Sequence, residues 1–188
     1  MLPQPTPSWF ALSVRSRHEK SVQRILNYQG YTTSLPLRAC SHTRNCGTAW
    51  QSETPLITGY VFVLYNPYNP FHILATPGAI RFVAFGNGPS LIPAVEIDAL
   101  ERITASHLPV GECSYTHAGD EVELLGGPLR GVTGRVVREA GTARLVVSVS
   151  LLQRSVYVEI DSRWVGPALS SLPRFGSRPV SLLSTSLW

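Results

Sequence analysis

Lysine is almost missing from this chain. Lys20 stands alone beside 15 arginines, and the net charge over 188 residues is only +4. Charged residues of either sign make up just 15%. A protein that coats nucleic acid without regard to sequence neutralises many phosphates, and this balance argues against that class. Cysteine is scarce as well. Cys40, Cys46 and Cys113 are odd in number and irregular in spacing, which argues against a disulfide scaffold and for reduced thiols in a cytosolic protein. The opening MLPQPTPSWF has no basic segment followed by an apolar run, so it does not read as a signal peptide. A long apolar run is also lacking. Thr54 to Ile80 carries no charge, yet Pro55, Pro67, Pro70 and Pro77, with Asn66, Asn69 and His72, break it well short of the ~20 residues a membrane span needs.

What is present is core material. Hydrophobic residues reach 44%, and 15 prolines with 15 glycines predict short elements joined by many turns. From Trp9 the run WFALSV reads as a strand. Ser16-Arg17-His18-Glu19 has the S-x-x-E form of a capping box, followed by a helix that carries Val22, Ile25, Leu26 and Gln29 on one side and ends near Gly30. Arg17, Lys20 and Arg24 recur at i, i+3 and i+7, a basic stripe on the outer face. Further strands are expected over Thr32–Leu37, Leu56–Tyr65 and Ala79–Phe85, with a polar hairpin tipped near Asn45-Cys46-Gly47. A short turn or helix is expected between Pro67 and Thr76, and a second long helix from Pro93, with Ile97, Leu100 and Ile103 inward. This order predicts an α+β fold whose first part is an α/β sandwich, an antiparallel sheet flanked by helices.

Beyond residue 108 the texture changes. Residues 109–117 show no period and read as a linker, and residues 118–166 hold Val-rich strands separated by short turns, the pattern of a small all-β barrel. Residues 1–8 read as a loose Pro-rich lead, 9–108 as the first domain, and 167–188 as a low-complexity tail. Charge sorts with these segments. Residues 1–53 carry six basic and two acidic side chains, whereas 109–166 carry six and seven. The first domain is therefore the expected partner of any nucleic acid.

The segment AGDEVELLGGPLRGVTGRVV (118–137) resembles a KOW motif. Trp9-Phe10, Glu19, Gly59-Tyr60-Val61-Phe62-Val63, and Thr76-Pro77-Gly78 followed by Phe82-Val83 resemble a NusG N-terminal domain, and the order of the two domains matches too. RSRHEK, PLITGYVFV, TPGAIRFVAFG and RLVVSVSLLQRSVYVEID resemble the specialised UpxY and RfaH-type paralogues in particular. The resemblance implies a monomeric, cytoplasmic transcription elongation or antitermination factor. It implies partners in RNA polymerase, through the clamp helices of the largest subunit, in the non-template DNA strand, and in the ribosomal protein NusE or Rho at the KOW barrel.

The resemblance also places residues. Phe10, Ile57, Tyr60 and Phe62 fall at the polymerase-binding positions, and Tyr60 and Phe62, two apart on a strand, share a face. Ile57-Thr58 stands where the family has Phe-Pro. Arg15 matches a DNA-contacting position, with Arg17, Lys20 and Arg24 beside it, while a second such arginine of RfaH is replaced by Pro77. Leu151, Leu152 and Arg154 occupy the barrel turn that meets a partner, and an exposed Leu-Leu pair there would form a docking patch. Tyr68-Asn69-Pro70-Phe71 lies where RfaH has a His-Thr-Thr motif, which is absent. No catalytic grouping, cofactor or metal is expected; Cys40-x-His42-x3-Cys46 has the wrong spacing for zinc. The other class to keep is a KOW-type RNA- or ribosome-binding structural protein, against which the neutral barrel and the single lysine both count.

Overall fold

A computed structural model describes residues 6–43, 49–66, 71–86, 88–114, 119–139 and 142–168. The first sheet is built around β1 (Ser8–Val14), because its alternate residues are apolar on both faces. β1 pairs antiparallel with β5 (Tyr60–Tyr65), and β2 (Thr32–Ser34) lies on the far side of β5. On the other edge of β1 sit β6 (Ala79–Phe82) and β7 (Leu91–Ile92). Phe10, Leu12, Val14, Val61, Val63 and Tyr65 point to one face, where Val22 and Leu26 of helix α1 (Glu19–Tyr28) and Ile73 of α2 (Phe71–Leu74) cover them. Fully burying Val22 and Leu26 is worth about 1.5–3 kcal/mol each, enough to hold a ten-residue helix that is marginal alone.

The opposite face carries Ala11 and Phe62, packed with Ile97, Leu100 and Ile103 of α3 (Ala94–Ala105). α3 begins after Pro93, whose φ of −58° already suits a helix start. Between β2 and β5, β3 (Leu37–Thr43) and β4 (Ala49–Pro55) form a separate two-stranded ribbon. The second sheet contains β8 (Val110–Ser114), β9 (Asp120–Leu124), β10 (Thr133–Glu139), β11 (Thr142–Val149), β12 (Arg154–Ile160) and β13 (Val165–Ala168), all antiparallel, in the order β13-β9-β10-β11-β12-β8. Val147, Val149, Val156, Val158 and Ile160 alternate inward with the period of two that the sequence showed. At Gly134 a Cβ would stand 2.7 Å from the Val146 carbonyl oxygen, so β10 and β11 approach only because no side chain intervenes.

The two sheets are not independent. One apolar core runs from Ala11, Ile57 and Phe62 through α3 to Leu124, Leu145, Val149 and Val158 of the second sheet. The side of α3 bearing Glu96, Ala99 and Arg102 lines a cleft of about 650 Å³ against Thr133, Gly134, Val147 and Ser150.

Several elements differ from expectation. The Ser16–Glu19 capping box does not form: His18 is the N-cap, without a side-chain cap bond, after Arg17 turns the chain at a φ of +66°. Glu19 is buried and accepts a hydrogen bond from Gly59 N–H at 3.0 Å. The carboxylate thus ties α1 to the turn before β5 instead of closing its own helix end, and it satisfies the half-buried Gly59 donor. The strand expected over Leu56–Tyr65 starts only at Tyr60, because Gly59 adopts a φ of +83° and residues 56–59 form a turn. Thr32–Leu37 divides at Leu35-Pro36 into β2 and β3, and β6 ends at Phe82 rather than Phe85. Val110–Ser114, read as part of a linker, is an edge strand on β12 that the short, polar sequence GECS concealed. The hairpin tip at residues 45–47, Tyr68–Pro70 and most of the tail lie outside the described residues.

Candidate functional site

The register of β5, β1 and β6 sets a row across the first sheet. Tyr60 stands opposite Ser13, and Ser13 opposite Arg81. All three project from the face that α3 covers farther along, because residues paired across strands point the same way. Here α3 does not reach. Ser13, Tyr60 and Arg81, with Val83 and Ala84, line an open groove of about 230 Å³. Tyr60 is half-buried and packs against the shared core, while Arg81 is exposed.

Tyr60 and Phe62 share this face as expected, and Ile57 sits in the turn that precedes them. Their exposures separate them, however. Ile57 and Phe62 are 2% and 1% exposed and lie inside the core that includes the second sheet, so Tyr60 alone of the three is reachable from solvent. Phe10 does not join them. Its neighbour across β5 is Val63, and it lies on the opposite face under α1, its ring 4.8 Å from Tyr65 and 6.3 Å from Phe82. Odd and even strand positions face apart, which removes Phe10 from any surface that Tyr60 belongs to.

The basic residues cluster at one end of the same sheet. Arg15 follows β1 directly, its N–H donating to the Gly78 carbonyl at 2.9 Å, which places it beside the start of β6. Arg15, Arg17 and Arg24 are exposed, and their guanidinium groups bond to no described residue. Lys20 differs: its ammonium pairs with Glu53 of β4 at 3.3 Å, across an exposed surface where such a pair contributes little. Of the stripe predicted from spacing, only Lys20 and Arg24 lie on α1; Arg17 sits in the left-handed turn before it, and Lys20 is already engaged.

In the second sheet, Leu152 is buried in the core and Leu151 is partly buried against it. No exposed Leu-Leu patch exists at this turn. Gln153 takes a left-handed φ of +51°, and the tight turn folds the leucines inward. Arg154 is exposed and pairs with Glu112 of β8 at 2.9 Å. Two groups unmarked by the sequence hold the units together. Glu96 accepts a hydrogen bond from Ser150 N–H at 3.3 Å, and its carboxyl pKa is raised by burial, an effect that bonding to Ser150 partly offsets. Arg102 donates to the Arg130 carbonyl. Arg81 was legible only as a charge inside an apolar strand, AIRFV, and its neighbours came from register alone.

Among the described residues no group of His, Cys, Asp and Glu is placed to hold a metal, and no helix is long and apolar enough to cross a membrane. A family model described as "Transcription termination factor nusG" matches residues 7–101, half of the chain and the whole span from β1 into α3. Among solved structures, one described as "Domain interaction in Thermotoga maritima NusG" aligns at 18% identity over 85% of this chain and 96% of that one, with a TM-score of 0.52. A chain of the MjSpt4:Spt5 complex in conformation B aligns at 16% identity over 84% of this chain and 95% of that one, with a TM-score of 0.29.

Proposed function

Because this chain belongs to the NusG family, we propose that it is a transcription elongation and antitermination factor that binds RNA polymerase through the first sheet. What supports the reading is that the family match spans Arg15, Ile57, Tyr60 and Phe62, and that Tyr60 borders an open groove. The specialised UpxY/RfaH-type role, on particular operons in the cytoplasm, rests on the sequence resemblance and on Arg15 and Arg17, which bond to no described residue through their guanidinium groups and would meet the non-template DNA strand. The second sheet would serve as a KOW barrel, with Rho or NusE as its partner. The protein would catalyse no reaction; it would shift polymerase between pausing and elongating states by binding one better than the other. Since Ile57 and Phe62 are buried in the core shared with the second sheet, docking through them requires the two units to part.

Co-elution with bacterial RNA polymerase core tests the first claim. Tyr60→Ala is expected to weaken binding by about thirtyfold, the loss typical of an aromatic anchor, while circular dichroism stays unchanged. Unaltered binding would remove the docking assignment. The double variant Arg15→Glu, Arg17→Glu should still bind polymerase but lose any sequence-dependent recruitment to non-template DNA.

A further inference from the structure

The groove beside Tyr60 contains a charge that the fold does not use. Arg81 lies at the edge of the sheet, exposed, and its guanidinium bonds to no described residue. Elsewhere on the described surface arginines are paired with carboxylates: Arg144 reaches Glu159, Arg154 reaches Glu112, and Arg163 reaches Asp161. Among the described residues no carboxylate lines the groove, which Ser13, Tyr60, Phe82, Val83 and Ala84 complete.

We infer that Arg81 receives a carboxylate side chain of the protein that docks on Tyr60. The inference rests on the polymerase-docking reading and deepens it: the aromatic ring supplies apolar contact, and two strands away, across β1, the guanidinium supplies a fork of donors matched to a carboxylate. Ser13, midway between them in the row, offers a hydroxyl to the same group. The composition favours a protein over a nucleic acid strand. A strand-binding groove needs a succession of cations tracking the phosphates, and among the described residues lining this one Arg81 is a single cation. The groove is also open in the arrangement with the two units packed together, unlike Ile57 and Phe62. Arg81 and Tyr60 are therefore available for first contact, before the units part. A charge at the rim of an interface acts mainly on the association rate and in a salt-dependent way.

The test measures association and dissociation rates of the full chain with RNA polymerase core at low and high salt, for wild type, Arg81→Glu, Arg81→Lys and Tyr60→Ala. Arg81→Glu should slow association roughly tenfold at low salt, with the difference shrinking at high salt and dissociation little changed. Arg81→Lys should keep most of the wild-type rate. An Arg81→Glu protein that associates at the wild-type rate overturns the inference, even where Tyr60→Ala confirms docking. Slowing by Arg81→Glu with no effect of Tyr60→Ala supports the acidic contact and overturns the docking reading instead. Titration with a single-stranded oligodeoxynucleotide gives the remaining arm: loss of that binding in Arg81→Glu, with polymerase association intact, reassigns the groove to nucleic acid.

Discussion

Tyr65 shows how closely the first core is filled. Its ring stacks on Phe82 with centroids 4.8 Å apart and meets Phe10 at the same distance, but its hydroxyl is buried without a hydrogen-bond partner. Burial pushes the phenol pKa up to about 12. An unpaired buried hydroxyl costs free energy, so Tyr65→Phe should be neutral or stabilise the fold by about 1 kcal/mol, read from urea denaturation. A clear loss of stability would mean that the hydroxyl has a partner. The pH dependence carries a definite sign. The folded pKa lies above the unfolded value near 10, so Tyr65 contributes stability that is complete below pH 10 and lost as pH rises toward 12. Its ionisation, followed by ultraviolet absorbance, should come only as pH approaches 12 in the folded protein and near 10 once urea unfolds it. Phe10 was misplaced from sequence for a related reason. Every residue from Phe10 to Leu12 is buried, so polarity could not tell one face from the other, and only pairing with β5 did.

At the scale of elements, α3 is the piece whose role composition hid. Its apolar positions Ile97, Leu100 and Ile103 were legible as one inward face, and the structure buries them. That its neighbouring side would meet a second sheet was not legible, because Glu96 and Arg102 have the look of solvent-facing residues. Glu96 is half-buried there, with its pKa raised first by desolvation. The linkage follows: this carboxyl favours the folded arrangement most when protonated, and the advantage is lost as pH rises through its folded pKa. Glu96→Gln keeps an acceptor for Ser150 N–H and removes the charge. It should raise the melting temperature at neutral pH by about 1 °C, a small effect because remaining exposure screens the group. The gain should vanish near pH 4, and a gain that is equal at both pH values would count against desolvation as its cause. The Val-rich strands of the second sheet, β11 and β12, were legible from their valines to within two residues at either end. Its edges, β8 and β13, were not: five- and four-residue segments with Gly, Pro and Cys have no period, and only their neighbours make them strands.

For the whole molecule, the continuous core predicts cooperative behaviour. Ile57, Leu100, Leu145 and Val158 belong to one buried cluster, so differential scanning calorimetry of the full chain should show a single transition. Two resolved transitions would show that the contacts across α3 contribute little at equilibrium. Family membership was legible because its residues lie in β1, β5 and α1, elements that the pattern of apolar residues already located. The arrangement of the two halves had no such pattern to announce it.

α3 also sets an order in time. It is completed at Ala105, but β11, which it packs against, ends at Val149. A ribosome adding ~5–20 residues per second leaves an interval of a few seconds between the two. During that interval the first sheet, α1 and α3 can assemble from chain already made, with Ala99 and its flanking surface still uncovered. A newborn molecule thus passes through a stage in which Phe62 and its neighbours lack their second cover. Whatever binds the first sheet could engage it then, while the chain is still being translated.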